Sequence, residues 1–198
     1  YLALQSGHAH PRDKIAALLW GGATDERARH SLRQVLVDLR RALPATPPVL
    51  VDDGETIAID PDAIEVDVVE FQRRARGPAA AALADAAALY RGDLLAGLAV
   101  QEAPFEEWLL TERERIRELA VEVLARLLAH QGESGAIDAA VQTAVRLLGL
   151  DPTQEAVHRM LMRLYVRQGR RGAALRQYQV CVGILEREVH AGPEAETR

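Results

Sequence analysis

Side chains suited to binding DNA lie on one predicted helix between Gly22 and Leu43. The residues on its outward face would be His30, Arg33, Gln34, Val37 and Arg41. Arginine and glutamine side chains can hydrogen-bond base edges in the major groove, and a valine can contact the methyl group of thymine. This helix face therefore predicts binding to double-stranded DNA.

The opposite face of the same helix is apolar, which indicates how the helix is held in place. Six apolar residues recur there at helical spacing: Ala28, Leu32, Val35, Leu36, Leu39 and Leu43. A shorter helix, predicted from Arg12 to Trp20, comes before it, and Gly21-Gly22 separates the two. Two helices joined by a short turn, with arginines on the second, predict a helix-turn-helix.

Further basic residues complete the predicted DNA-binding set. They are Arg12, Lys14, Arg27, Arg29 and Arg40. Arg12 and Lys14 start the shorter helix, where the positive end of the helix dipole helps to position phosphates. The alternative for Arg12, Lys14, Arg33 and Arg41 is an ordinary charged surface, and Val37 could pack on the segment that follows the helix.

A β-hairpin is predicted after the second helix. Pro44 and Pro47-Pro48 end the helical pattern, and two short apolar runs then flank the turn sequence Asp53-Gly54. Two helices followed by a hairpin form a winged helix. Residues 1–66 are therefore predicted to be a winged helix-turn-helix DNA-binding domain.

Charge is distributed unevenly over this first domain. Residues 1–43 contain seven basic and four acidic residues, whereas residues 44–68 contain seven acidic residues and no basic one. The hairpin turn has the sequence Asp52-Asp53-Gly54-Glu55. We expect this turn to repel phosphate, which argues against contacts between the hairpin and DNA and leaves open whether the hairpin contacts DNA at all.

Residues 67–198 are predicted to form a second, all-α domain. A short helix around Val68–Arg76 is followed by helical patterns at residues 79–91, 104–131, 135–149, 153–168 and 172–189. An internal repeat with an offset of 37 residues aligns Gln131-Gly132 and Gly135-Ala136 with Gln168-Gly169 and Gly172-Ala173. A helix, a Gln-Gly stop and a Gly-Ala restart thus occur twice, which predicts tetratricopeptide-like (TPR-like) helical repeats.

The sequence indicates no catalytic residue, metal site or cofactor, and we expect a protein that is not an enzyme. It has no glycine-rich phosphate loop and no serine nucleophile motif. His8 and His10 form a His-x-His pair, but no cysteine or carboxylate lies at ligand spacing beside them. Trp108 is expected to pack the long helix against residues 90–98, and Phe105 to pack in the core or between domains, rather than to bind a ligand.

The location of the protein is predicted from its cysteine count and its apolar runs. Cys181 is the single cysteine, so no disulfide can form within the chain, and no apolar run approaches the roughly 20 residues of a membrane span. We expect a cytoplasmic protein with no membrane partner. Because Tyr1-Leu2-Ala3-Leu4 already lies within an apolar pattern, the natural N-terminus is expected upstream.

Two groups of motifs carry a family resemblance. The first group resembles the OmpR-type winged helix-turn-helix and consists of Arg12–Trp20, Ser31–Gln34 and Asp38–Leu43. The motifs of the second group are Asp67–Phe71, Leu89–Gly97, Phe105–Trp108, Glu112–Arg115, Leu150–Pro152 and Gly192–Arg198. This second group resembles the bacterial transcriptional activator domain (BTAD) of the antibiotic regulatory protein family (SARP/AfsR type). In that family a small β-sheet precedes the winged helix, and this sheet is missing from the sequence.

The resemblance implies a bacterial transcription regulator, an activator that binds promoter DNA as a homodimer or on repeated half-sites. The TPR-like domain would support dimerisation and contact RNA polymerase. An alternative is a protein-protein interaction module of a larger signalling regulator, whose winged helix does not bind DNA. The acidic hairpin favours this alternative, and the arginines of the second helix favour DNA binding.

Overall fold

The computed structural model describes residues 1–198 and is mainly α-helical, with one small antiparallel sheet. The chain forms two compact units. The first comprises Tyr1–Phe71 and Arg91–Ile116, and the second comprises Gln72–Tyr90 and Arg117–Arg198. No helix combines the length and the apolar character needed to cross a membrane.

The elements follow one another in the order expected, with two short additions at the start. A 3-10 helix (Leu2–Gln5) and strand β1 (His10–Pro11) come first. The helices are α1 (Arg12–Leu19), α2 (Asp25–Ala42), α3 (Asp67–Ala75), α4 (Ala80–Leu89), α5 (Ala103–Ser134), α6 (Ile137–Leu150), α7 (Glu155–Arg167) and α8 (Arg171–Ile184). Strands β2 (Leu50–Asp52) and β3 (Thr56–Ile59) lie between α2 and α3, and a π-helical turn (Leu185–Val189) follows α8.

The core of the first unit is built around α2. Ala28, Leu32 and Leu36 are buried there with Ile15 of α1 and Ile57 of β3. These three α2 residues are spaced by four and therefore form one narrow row along the helix. The row fixes α2 against α1 and the sheet, and it leaves the opposite side of α2 in contact with solvent.

The predicted apolar face of α2 is wider than the buried one. Val35 is 46% exposed, so its assignment to the core is wrong. Leu39 and Leu43 are only half-buried. The neighbouring residues cover the row that contains Leu32 and Leu36, but they do not cover the flank of α2 on which Val35 lies. Helical spacing predicts which residues share a face, but not how much of that face a neighbouring element covers.

The predicted hairpin is confirmed, and it belongs to a three-stranded sheet. Strands β2 and β3 are antiparallel, with Leu50 opposite Ile59 and Asp52 opposite Ile57. Strand β1, which was not predicted, pairs with the other edge of β3 and places His10 opposite Ile57. A two-residue strand that contains a proline carries no alternating pattern, so it could not be predicted from local spacing.

Residues 91–116 belong to the first unit, where one arginine and one glutamate hold the loop before α5. The Arg113 guanidinium donates to the carbonyl oxygens of Leu94 and Leu95, at 2.8 Å each. The Gly22 amide donates to the Glu102 carboxylate at 3.4 Å. A Cβ at Gly21 would lie 3.0 Å from Pro104 Cγ, so the turn between α1 and α2 requires a glycine at this close approach.

Trp108 contacts two other aromatic rings of the first unit. Its ring contacts those of Tyr1 and Phe105, with centroid distances of 5.2 and 5.3 Å. It is half-buried and lines a cavity with residues of α1, whereas Arg113 is the residue that holds part of the 90–98 segment. Arginine hydrogen bonds to backbone carbonyls leave no apolar signature in a sequence, so the part of Arg113 could not be predicted.

In the second unit α7 packs against both α6 and α8, consistent with TPR-like helical repeats. The predicted stop at Gln168-Gly169 is confirmed, since α7 ends at Arg167 and Gly169 has a φ of +74°. The corresponding stop at Gln131-Gly132 is wrong, because α5 continues to Ser134 and Gly135 has a φ of +73°. Gly132 instead makes room for α7, where an added Cβ would lie 2.7 Å from Met160 Cε.

The link between α6 and α7 is held by side-chain hydrogen bonds. The Asp151 carboxylate accepts from the Thr153 amide at 3.1 Å, the Thr153 hydroxyl at 2.7 Å and Gln154 Nε2 at 2.9 Å. Although partial burial opposes ionisation, the bonds from Gln154 and Thr153 lower the pKa of Asp151. The buried His158 donates from Nε2 to the Pro152 carbonyl at 2.9 Å, so both ends of the link are tied down.

Replacing Asp151 by asparagine should destabilise the second unit in a pH-dependent way. A carboxylate whose pKa is lowered by folding stabilises the protein above its unfolded pKa, about 3.9, and this contribution is lost as the pH falls through the folded value. We expect a loss of about 1 kcal/mol at pH 7. Thermal melts at pH 7 and pH 2.5, with Glu133→Gln as the exposed control, should show the difference from the parent shrinking at the acidic pH. A difference independent of pH would contradict this role of the charge.

Candidate nucleic-acid interface

The solvent side of α2 carries most of the residues predicted to contact DNA. Arg27, His30, Arg33 and Gln34 are exposed, and Val37 is 37% exposed. The buried row through Leu32 fixes the rotation of the helix, so these side chains point away from the core. Arg27 and Arg33 make no hydrogen bond or ion pair within the protein, and both keep their donors for a ligand.

Other arginines of the predicted set are paired with carboxylates of the same unit. Arg29 of α2 donates to both oxygens of Asp13 on α1, at 2.8 and 3.3 Å. This hydrogen bond and the charge of Arg29 lower the pKa of Asp13. Arg41 lies 3.7 Å from Asp38, one turn earlier on the same exposed helix face. The charge available to phosphate is therefore smaller than the number of arginines suggests.

Asp52 of β2 connects the hairpin to both helices. Arg12, the first residue of α1, donates to Asp52 Oδ2 at 3.2 Å, and Arg40 near the end of α2 forms a short ion pair with the same oxygen. The second oxygen of Asp52 accepts from the Gly54 amide at 2.9 Å. The Asp52 side chain is only 5% exposed. Its charge thus faces two arginines of the protein instead of solvent.

Asp53 is used in forming the hairpin turn. Its carboxylate accepts from the amides of Glu55 at 2.9 Å and Thr56 at 2.6 Å, and from the Thr56 hydroxyl at 3.0 Å. These bonds lower the pKa of Asp53. Of the three acidic residues in the turn, Glu55 alone has a carboxylate without a partner. Sequence alone counts three repelling charges here, and the structure assigns two of them to internal contacts.

A cleft of about 470 Å³ lies between α1, α2 and the hairpin turn. Its walls are formed by Pro11, Arg12, Asp13, Arg29, Leu32, Arg33, Gly54 and Glu55. Arg33 is the cation of this cleft that has no partner in the protein. The cleft therefore presents one free guanidinium beside two guanidinium groups, Arg12 and Arg29, that are already held in place.

Lys14 lies apart from this cleft. It lines a different cavity of the first unit, of about 510 Å³, together with Tyr1, His10 and Trp108. Burial, together with the positive charge of Lys14, lowers the pKa of His10. The structure thus groups Arg12, Arg29, Arg33 and Arg40 around α2 and the hairpin, but it does not bring Lys14 into that group.

Two carboxylates that hold candidate arginines, Asp13 and Asp52, were not among the residues predicted from the sequence. Asp13 is separated from Arg29 by 16 positions and Asp52 from Arg12 by 40. Both were counted as charges that weaken DNA binding. No local sequence pattern indicates pairs between residues so far apart in the chain.

Comparison with known families identifies the class of protein. Residues 66–198 match the model of the bacterial transcriptional activator domain, which is two thirds of the chain. The protein belongs to the bacterial transcriptional activator domain family. A search of curated proteins found no match. The family is a regulatory one and not an enzyme family, and this chain is a transcription regulator.

Proposed function

We propose that the first unit is a winged helix-turn-helix of the SARP/AfsR type, in which α2 enters the major groove of promoter DNA. The observation that carries this proposal is the solvent face of α2, where Arg27, Arg33 and Gln34 keep unused donors above a buried row. An α-helix fits the major groove, and bidentate arginine and glutamine contacts distinguish bases there. Val37, exposed between them, suits contact with a thymine methyl group.

The paired arginines have a separate role in this proposal. Arg12 and Arg29 line the cleft beside the hairpin, Arg40 shares Asp52 with Arg12, and each of the three is held by a carboxylate. An arginine has five N–H donors, so one bound to a carboxylate can still donate to a phosphate. These residues would fix the register of α2 along the DNA, whereas the unpaired ones read bases.

We further propose that the regulator acts as a dimer on two half-sites and contacts RNA polymerase through its helical repeats. Residues 1–68 contain seven basic and eleven acidic residues, so one module gains little from counterion release. Joining two modules makes the second contact intramolecular, which raises the affinity without any new contact. The TPR-like packing of α6, α7 and α8 supports a role of these helices in holding partners.

The second candidate is an interaction module whose first unit binds protein and not DNA. The acidic hairpin favoured it, and Glu55 still carries a free negative charge there. Asp52 and Asp53 no longer support it, because both carboxylates are engaged within the unit. Failure of the protein to bind any promoter DNA from its own genome would favour this second candidate.

Replacing Arg33 by alanine should weaken binding to the cognate DNA without lowering the melting temperature. Arg33 is exposed and makes no contact that stabilises the fold. Loss of a base contact costs about 1–3 kcal/mol and relaxes specificity at one position of the site. Mobility shifts on cognate and single-base-substituted DNA measure both effects. Arg163→Ala, which removes an exposed arginine of α7, is the matched control, and equal binding by the two variants would reject α2 as the reading helix.

A further inference from the structure

The side chain of Asp52 is placed unusually for an acidic residue next to a DNA-binding surface. It lies at the end of β2, is almost fully buried, and receives Arg12 from α1, Arg40 from α2 and the Gly54 amide. Arg12 also donates to the Gly54 carbonyl at 3.2 Å. One carboxylate thus fixes the positions of two arginines and of the hairpin turn between them.

The charges around Asp52 do not cancel completely. Two guanidinium groups share one carboxylate, so the group of three keeps a single positive charge. Arg29 and Arg41 are each offset by one acid, Asp13 and Asp38. Among the arginines of this surface, Arg27 and Arg33 alone keep their full charge. The surface therefore presents arginine donors whose positions are fixed by carboxylates, but it carries little net charge.

This arrangement affects specific and non-specific DNA binding differently. Non-specific binding depends on net charge, because its free energy comes from counterions released by neutralised phosphates. Specific binding also depends on arginines placed in the correct geometry before the DNA arrives. A buried carboxylate that orients two arginines removes one positive charge, which lowers the affinity for non-specific DNA. The same carboxylate holds the arginines in place, which supports the affinity for the specific site.

We propose that Asp52 is a positioning residue that sets the specificity of DNA binding, by orienting Arg12 and Arg40 while offsetting one of their charges. This inference rests on the proposed DNA-binding function. A purely structural role of Asp52 would change the melting temperature of the first unit but would not change the number of counterions released. The salt dependence of binding and the ratio of specific to non-specific affinity therefore separate the two roles.

The test compares Asp52→Asn with two variants of the full chain. Asp52→Glu keeps the charge, and Glu65→Gln removes an exposed acid that makes no ion pair, giving the same change in net charge. Affinities for cognate and for random-sequence duplexes are measured by fluorescence anisotropy from 50 to 200 mM salt. Thermal melts of each variant establish that it is folded.

We expect Asp52→Asn to steepen the slope of log affinity against log salt by about 0.9, which is a change of about 3-fold over this range. Its affinity for random DNA should rise and its ratio of specific to non-specific affinity should fall by about 3-fold or more. The ratio should stay at the parent value for Asp52→Glu and Glu65→Gln. An unchanged ratio for Asp52→Asn would overturn the inference, whereas a parent protein with no salt-dependent DNA binding would overturn the proposed function and this inference with it.

If Asp52→Asn does not fold, Arg40→Gln provides the decisive measurement. Asp52 then keeps its pair with Arg12, so the hairpin stays attached. The slope should become shallower by about 0.9, because the remaining pair is neutral. A slope equal to that of the parent would show that these arginines do not face DNA, which overturns the inference.

Discussion

Replacing Leu36 by alanine should produce the largest loss of stability of any single change in α2, about 2–5 kcal/mol. Leu36 is 2% exposed and lies in the buried row with Ala28 and Leu32, against Ile15 and Ile57. Truncating it removes apolar contacts and leaves a cavity between α1, α2 and the sheet. The free energy of unfolding, measured in urea by circular dichroism or tryptophan fluorescence, gives the magnitude.

Val35→Ala is the matched control for Leu36→Ala. Val35 precedes Leu36 on the same helix, and both were predicted to be buried, but Val35 is 46% exposed. We expect it to change stability by no more than about 0.5 kcal/mol. Two variants with equal losses would mean that the flank of α2 is covered by something other than the residues of the first unit.

Changing the distance between two DNA half-sites by five base pairs should lower the affinity of the full protein by about 100-fold. If two α2 helices are held at a fixed spacing, five base pairs place the second half-site on the wrong side of the duplex, half a helical turn away. The second contact is then lost. Competition binding on paired half-sites gives the ratio, and a single half-site should bind as weakly as the misplaced pair.

A shift of ten base pairs controls for the added length. It returns the second half-site to the original side of the duplex, so a flexibly linked dimer should recover part of the affinity. If the affinity fell only because the DNA became longer, the ten-base-pair shift would not restore it. The full chain is required, because residues 91–116 belong to the first unit together with residues 1–71. Indifference of binding to both shifts would show that the protein binds each half-site independently, and the dimer proposal would fail.

The local elements of this fold could be predicted well from the sequence. The hairpin around Asp53-Gly54 has the strongest short-range signal for such a turn, and the helices begin and end within a few residues of their expected bounds. The stop at Gly169 was also visible, because glycine is the usual residue at a left-handed helix end. Patterns of this kind act over four residues or fewer.

Contacts between distant residues could not be predicted in the same way. Gly132, like Gly169, follows a glutamine and precedes a Gly-Ala pair, yet α5 continues through it to Ser134, and an added Cβ there would meet Met160 of α7. Likewise, no residue near Arg12 in the sequence indicates that Arg12 forms an ion pair with Asp52. The residue types of the candidate interface could thus be predicted, but their pairing depends on how α1, α2 and the hairpin meet.

Two arginines of the second unit restrict which substitutions this protein can accept. Arg126 donates to the carbonyl oxygens of Ala75 and Gly77, and Arg146 donates to those of Ala87 and Tyr90. Each arginine therefore holds the chain near the end of a short helix, α3 for Arg126 and α4 for Arg146. Arg126 uses two nitrogens, one for each carbonyl, and lysine, which keeps the charge but offers a single nitrogen, cannot reproduce that geometry. Arg146 reaches both of its carbonyls from Nη2 alone. Exchanging Arg126 for lysine, although conservative in charge, would therefore release the end of α3, and sequence variation at this position should be judged by reach and planarity instead of by sign.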